Sequence, residues 1–127
     1  MLQAYDGGGS PALGPLSRAI GVDDWIFVSG TIGTFADGTL PATVAEQTAQ
    51  TLENVKAHLG AAGSSLDDVV STTVYLTDRE EFAAMNEVYV RYFTTTPRPA
   101  RATVCFPLVH EEHLVEISAI ARRGARA

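Results

Sequence analysis

The order of helical and extended segments restricts the possible folds of this chain more than any other feature. The capping-box pair Thr43 and Glu46 predicts the start of an amphipathic helix that continues to about Leu59. Two short runs rich in β-branched and aromatic residues flank this helix, one from Trp25 to Ser29 and one from Val69 to Leu76. Such runs are typical of strands. Two strands joined by one helix predict a right-handed crossover between parallel strands.

The remaining segments extend this pattern to a complete α+β domain. Thr77 and Glu80 repeat the capping-box spacing, and a second helix is predicted from there to Phe93, before the prolines of the 94–99 segment end it. Three further strands are predicted: Ser17 to Val22, Ala100 to Phe106 and Leu114 to Ala121. The expected order is β-β-α-β-α-β-β, a mixed sheet with both helices packed on one face.

Composition narrows the class of protein further. The 127 residues predict a single domain over 1–127, and 46% hydrophobic residues are enough for a proper core. A net charge of -6 makes nucleic acid an unlikely partner, because binding to phosphates depends on Lys and Arg. One cysteine, no signal peptide and no apolar run of membrane-spanning length predict a cytoplasmic protein without a membrane partner. Two helices can cover only one face of the sheet, so we expect other copies of the chain to cover the second face in a homo-oligomer.

Two charged residues inside predicted strands are the best candidates for chemistry. Arg101 shares a strand face with Thr103 and Cys105, and Glu116 lies between two apolar residues of the last strand. Strands of this kind are expected to bury both charges, and a guanidinium fork suits a carboxylate. Pattern alone leaves a purely structural alternative open, in which the two form an internal salt bridge or face water at an edge.

Other residues with reactive side chains have simpler interpretations. His110 and His113 flank two glutamates, but a metal site would need a third ligand and a fixed geometry, so a solvated loop is the expected setting. His58 is expected to complement the helix dipole at the end of the first helix. Cys105 is expected to be a small buried apolar residue, although its offset from Arg101 leaves a reactive role open. No phosphate loop, paired-cysteine motif or nucleophile elbow occurs, so no cofactor and no metal are predicted.

The motifs together resemble the Rid (YjgF) family of enamine and imine deaminases across nearly the whole chain. The resemblance rests on seven stretches: Phe27-Val28-Ser29-Gly30; Glu46-Gln47-Thr48 with Leu52-Glu53-Asn54-Val55-Lys56; 61–70; Thr72-Thr73-Val74-Tyr75-Leu76-Thr77-Asp78; 82–89; Pro99-Ala100-Arg101-Ala102-Thr103-Val104; and 115–121. Membership would imply a chorismate-mutase-like α+β fold and a homotrimer with three clefts between subunits.

The resemblance also implies roles for particular residues. Arg101 would hold the substrate carboxylate and Glu116 would position and activate water, while Ser29 and Asn86 would line the same cleft. Local capping is the alternative for Ser29 and Asn86. The substrate would be a 2-enamine or 2-imine acid, which water converts to a 2-keto acid and ammonia without a cofactor.

Some positions depart from the family pattern. Leu16 follows Gly14-Pro15 where a Tyr is common, and Thr103 replaces a frequent Cys, so that both would alter the substrate pocket. A less polar pocket could admit a bulkier substrate, so aminomuconate-type and natural-product deaminases are alternatives. A non-catalytic trimer that binds small carboxylates is another, and ribonuclease activity, attached to some relatives, is disfavoured by the acidic charge.

Overall fold

A computed structural model describes residues 1–126 as one six-stranded mixed sheet with two helices. The strands are β1 (Gln3–Tyr5), β2 (Ala19–Val22), β3 (Trp25–Thr31), β4 (Val69–Leu76), β5 (Ala100–Cys105) and β6 (Val115–Arg122), and the helices are α1 (Val44–Ala61) and α2 (Phe82–Tyr92). The order across the sheet is β1-β2-β3-β6-β4-β5. The pair β4 and β5 is parallel and every other pair is antiparallel.

The predicted α+β class and element order are confirmed, with one strand added at the N-terminus. β1 pairs with β2 and was not expected, because its three residues carry no strand-like alternation. The strands β3 and β4 run in the same direction, as a crossover through α1 requires, but β6 lies between them. The directly paired parallel strands are β4 and β5, which α2 connects.

The helix ends follow the predicted capping chemistry at one helix only. The Thr43 hydroxyl accepts the Glu46 backbone N–H at 3.2 Å, so the predicted N-cap is confirmed. The Glu46 carboxylate accepts the Thr43 hydroxyl at 2.9 Å rather than the Thr43 backbone N–H, so the reciprocal half of the capping box is not formed. The predicted box of Thr77 and Glu80 is wrong, since Asp78 accepts the Glu80 N–H at 2.9 Å and caps a short 3₁₀ turn before α2. Asp78 is the N-cap of this turn and accepts the N–H of its second residue.

The two sheet faces differ in what covers them. One face carries the core, in which Leu52, Val55 and Met85 of the helices pack with strand residues such as Val74 and Ile117. The opposite face keeps apolar side chains exposed: Trp25, Phe27, Val104 and Phe106. The aromatic stripe expected in the core is only partly there, because Tyr89 and Phe93 are buried whereas Phe82 is 45% exposed. Neither helix in residues 1–126 combines the length and apolar character that crossing a membrane requires.

His58 is a core residue and not a charged helix cap, so the expected interaction with the helix dipole is wrong. Its side chain is 1% exposed, and Nδ1 accepts the backbone N–H of Gly7 at 2.9 Å. Nε2 therefore carries the proton of a neutral imidazole. Burial, reinforced by the positive charge of Arg18, lowers the pKa of His58 below its usual 6.5.

The free energy of unfolding is expected to decrease as the pH falls below about 6.5. The unfolded chain binds a proton at His58 in that range while the folded chain does not, so this stabilisation is present above pH 6.5 and is lost on acidification through the folded pKa. Urea unfolding at pH 5, 6 and 7 measures the slope, which should be smaller in His58→Gln. The residual slope would combine His113, whose pKa burial also lowers, with an opposite contribution from Glu116, whose pKa burial raises. An unchanged slope in His58→Gln would contradict this assignment.

Candidate active site

A cleft of about 190 Å³ opens beside the ends of β3 and β6. Three segments line it: the N-terminal loop between Ser10 and Arg18, the end of β3 with the residues that follow it, and the loop that leads into β6. The lining mixes apolar side chains such as Leu13 and Ile32 with a few ionisable groups. Concave, mostly apolar sites with a few convergent polar groups are typical of small-molecule binding.

Glu116 is the carboxylate of this cleft. Its neighbours Val115 and Ile117 are fully buried on the core side, so alternation along β6 turns the Glu116 side chain to the opposite face. There it packs against Gly30, where an added Cβ would lie 2.5 Å from Oε2 of Glu116. Partial burial raises the pKa of Glu116 above its usual 4.5. A carboxyl with a raised pKa is suited to accept and return protons near neutral pH.

Two histidines line the same cleft, and only one of them is in the predicted solvated setting. His110 is exposed, but His113 is 5% exposed and its ring centroid lies 5.1 Å from that of His110. The side chain of Gln47 fixes this loop, because it donates to the Glu112 carbonyl and accepts the Leu114 N–H. This contact between α1 and the loop is non-local, so the sequence pattern could not indicate that His113 is buried.

The N-terminal loop contributes one predicted residue and one that sequence reasoning missed. Leu16 lines the cleft. The half-buried side chain of Arg18 also lines the cleft. In the sequence, only its position two residues after Leu16 indicated this. Ser29 is not among the lining residues, and its hydroxyl donates to the Ser17 carbonyl at 2.6 Å. That contact is the local bonding left open as the alternative for Ser29.

Arg101 belongs to a second cluster against α2. Its Nη1 donates to Oδ1 of Asn86 at 2.8 Å, and its guanidinium carbon lies 4.7 Å from the ring centroid of Tyr89 and 5.6 Å from that of Phe82. These contacts orient the guanidinium. Thr103 is half-buried two residues further along the same strand. The structure therefore places Arg101, Asn86 and Thr103 on the helix side of the sheet.

The two clusters lie on opposite faces of the sheet within one chain. Arg101 pairs with Thr72 of β4, and the Thr72 hydroxyl bonds the Tyr89 hydroxyl beneath α2 at 2.7 Å. Glu116 pairs with Tyr75, three residues further along β4. Positions three residues apart in a strand face opposite sides. The alternative of an internal Arg101–Glu116 salt bridge is therefore wrong, and the ion pair in residues 1–126 is Arg122 with Asp24.

β5 is an edge strand, and this corrects two further expectations about burial. Arg101 and Cys105 are both exposed in the chain, whereas the strand pattern predicted that they would be buried. The reason is that β5 has a neighbour on one side only, β4, so its outer edge is uncovered. Within residues 1–126, no group of three or more His, Cys, Asp or Glu side chains is arranged to hold a metal ion.

A two-layer α+β chain with a carboxyl-bearing cleft at the strand ends defines a class of small ligand-binding or catalytic domains, and comparison with known proteins identifies the family. The sequence model of the family described as Endoribonuclease L-PSP matches residues 8–123. A RutC family protein of Pyrococcus horikoshii is 44% identical over 115 residues, covering 86% of this chain and 87% of that protein.

Two further relatives extend these matches. The 2-iminobutanoate/2-iminopropanoate deaminase of Mus musculus is 41% identical over 115 residues, covering 89% of this chain and 84% of that protein. The crystal structure of Escherichia coli TdcF with bound serine superposes with a TM-score of 0.90 at 34% identity, covering 96% of this chain and 99% of that chain. The chain belongs to the Endoribonuclease L-PSP family, and the resemblance to the Rid (YjgF) proteins is confirmed.

Proposed function

We propose that this protein is a hydrolytic deaminase of 2-imino and 2-enamino carboxylates, acting as a homotrimer with sites between its subunits. The observation that carries the proposal is the pair of clusters on opposite sheet faces, an oriented arginine on one and a carboxyl with a raised pKa on the other. Each cluster supplies one half of the chemistry that such a substrate needs. The deaminase named among the relatives supports the same reaction class.

Arg101 is suited to bind the substrate carboxylate. Asn86 and the Tyr89 ring orient its guanidinium, and its exposure in the single chain leaves most of its donors available. A guanidinium binds a carboxylate through two parallel charge-assisted hydrogen bonds, which fixes the position of the adjacent imine carbon. Asn86 acts here as a positioning residue. Thr103, on the same strand face, would border the bound acid.

Glu116 is suited to activate water. Its carboxylate takes one proton from water while the water oxygen attacks the carbon of the protonated imine, and the electron pair of the C=N bond moves to nitrogen, which gives a neutral carbinolamine. Glu116 then gives this proton to the carbinolamine nitrogen. The C–N bond breaks as the C=O bond forms, and the hydroxyl proton passes through the Glu116 carboxylate to the departing ammonia, so that one protonated imine and one water give one 2-keto acid and one ammonium ion. No metal or organic cofactor takes part in this scheme.

A second subunit is needed to bring the two groups together. Within one chain the sheet separates Arg101 from Glu116, so no substrate of a few carbon atoms can touch both. The apolar side chains Trp25, Phe27 and Val104 on the face opposite the helices provide the surface that neighbouring copies would cover. Closed rotational symmetry then gives each copy one cleft with each neighbour.

The deaminase proposal predicts release of ammonia from imines made in situ by an amino-acid oxidase with catalase present. The wild-type protein should convert at least one imine to the keto acid faster than buffer does. Semicarbazide competes for the imine, so the amount of imine that it traps should decrease when the protein is present. No acceleration with any imine tested would overturn the proposal. Keto-acid binding without acceleration would favour the carboxylate-binding alternative, to which the serine-bound TdcF structure is a precedent.

A further inference from the structure

Arg18 is the cation of the cleft that the reaction above does not use. It lines the cleft together with Glu116, and within residues 1–126 no carboxylate lies within ion-pair distance of it. Asp6, which borders a neighbouring depression with Arg18, is among the carboxylates beyond that distance. Arginine is almost never fully buried unless it is paired, and Arg18 is half-buried with no carboxylate at ion-pair distance in residues 1–126. An unpaired arginine in a cleft is therefore a candidate ligand for an anion from outside the chain.

Backbone hydrogen bonds hold Arg18 in place, and several N–H donors of its guanidinium stay free. Its Nη2 donates to the backbone carbonyl of Ser10, and its own carbonyl accepts the Ser29 N–H at 2.9 Å. A guanidinium has five N–H donors, so several remain for a ligand. The apolar side chains of Leu13, Leu16 and Ile32 share the cleft, so a ligand bound to Arg18 would lie partly against apolar surface, where an ionic hydrogen bond is stronger than in water.

We propose that Arg18 binds a second anionic group of the substrate, so that the site prefers imino acids with a carboxylate at each end. This inference rests on the deaminase function proposed above, in which Arg101 of a neighbouring copy binds the carboxylate beside the imine. The reacting carbon lies at Glu116, and the rest of the substrate extends along the apolar wall to Arg18. At that position, the carboxylate at the far end of the substrate would accept charge-assisted hydrogen bonds from the free N–H groups of Arg18.

Calorimetric binding of two stable keto acids tests the inference without requiring turnover. The probes are 2-oxoglutarate, with two carboxylates, and 2-oxobutanoate, with one. Wild-type protein should bind 2-oxoglutarate more tightly, and Arg18→Gln should weaken it by about tenfold while 2-oxobutanoate changes by less than about twofold. Arg18→Lys should recover part of the loss. The matched control is Arg122→Gln, which removes an equal charge from a surface pair with Asp24 and should change neither affinity.

Several results would overturn the assignment. Equal weakening of both keto acids in Arg18→Gln would mean that Arg18 serves only to hold the Ser10 loop. An unchanged affinity for 2-oxoglutarate, or a wild-type protein that binds neither acid or prefers 2-oxobutanoate, would also count against it. The two proposals fail separately: the expected binding pattern in a protein that hydrolyses no imine would support Arg18 as the anion ligand and overturn the deaminase function alone.

Discussion

Each of the single variants Arg101→Ala and Glu116→Gln is expected to lose at least about 100-fold in kcat/KM. When the two variant chains assemble into one mixed trimer, part of the activity should return. Each variant lacks one of the two groups, and a well-placed general base alone contributes about 10²- to 10⁴-fold. The two residues lie on opposite sheet faces of one chain, so each site of the proposed trimer would take Arg101 from one copy and Glu116 from another. A mixed trimer therefore contains sites in which both residues are intact.

The amount of recovered activity follows from the geometry. In a mixed trimer, a site is intact when the copy that supplies Arg101 is the Glu116 variant and its neighbour is the Arg101 variant. A closed ring with two copies of one variant and one of the other has one such site in three, so about one third of wild-type activity is expected from isolated mixed trimers. Co-expression with two different affinity tags, followed by two-step purification and mass measurement, would isolate the mixed trimers for assay.

The control uses the double variant, Arg101→Ala with Glu116→Gln in one chain, co-expressed with Arg101→Ala. No site in that mixture has an intact Arg101, so activity should stay at the level of the single variants. Verified mixed trimers of the two single variants that remain inactive would contradict a shared site. A wild-type protein that is monomeric at assay concentration and active would contradict it as well.

Replacement of Gly30 by Ala is expected to reduce kcat/KM by about 100-fold while the protein stays folded. The new Cβ would lie 2.5 Å from Oε2 and 2.9 Å from the Cδ atom of Glu116, so the carboxyl must move away. A displacement of about 1 Å at a catalytic group can cost about 100-fold in rate. Glu116 is the flexible partner in this contact, and thermal unfolding should change little because the side chain can rotate into the cleft.

Gly60→Ala provides the matched control for this substitution. Gly60 lies in the last turn of α1, and an added Cβ there meets no atom within 4 Å. Alanine is more stable than glycine by about 0.5–1 kcal/mol in a helix interior and by less in the last turn, so this variant should unfold at the same or a slightly higher temperature with unchanged activity. Full activity in Gly30→Ala would mean that the Glu116 carboxyl does not act from its position over Gly30.

The secondary structure of this chain is largely predictable from local patterns. The alternation in Val69–Leu76 gave the bounds of β4, and the Thr43 and Glu46 pair marked the start of α1. These signals involve residues within four positions of each other. The strand β1 escaped prediction because its three residues become a strand only through pairing with β2.

Burial was less predictable, since it depends on which elements become neighbours. A cysteine within a strand is usually buried, but Cys105 is exposed because β5 lies at the edge of the sheet. The charged residues around His113 predict a solvated loop, but Gln47 holds that loop against α1, and the His113 ring is buried. The same distant contacts place His110, His113 and Arg18 in one cleft.

The sequence by itself determined the class of fold, the family, and Arg101 and Glu116 as the pair of charges on which a function could rest. Only the tertiary structure decided that this pair is divided between two faces of the sheet and that Arg18 lies in the cleft with Glu116. The physical reason is that side-chain alternation relates residues within a strand, whereas the relative facing of two strands depends on their order and register. Those follow from pairing between distant segments, so the placement of the two charges on opposite faces becomes visible only in the folded chain.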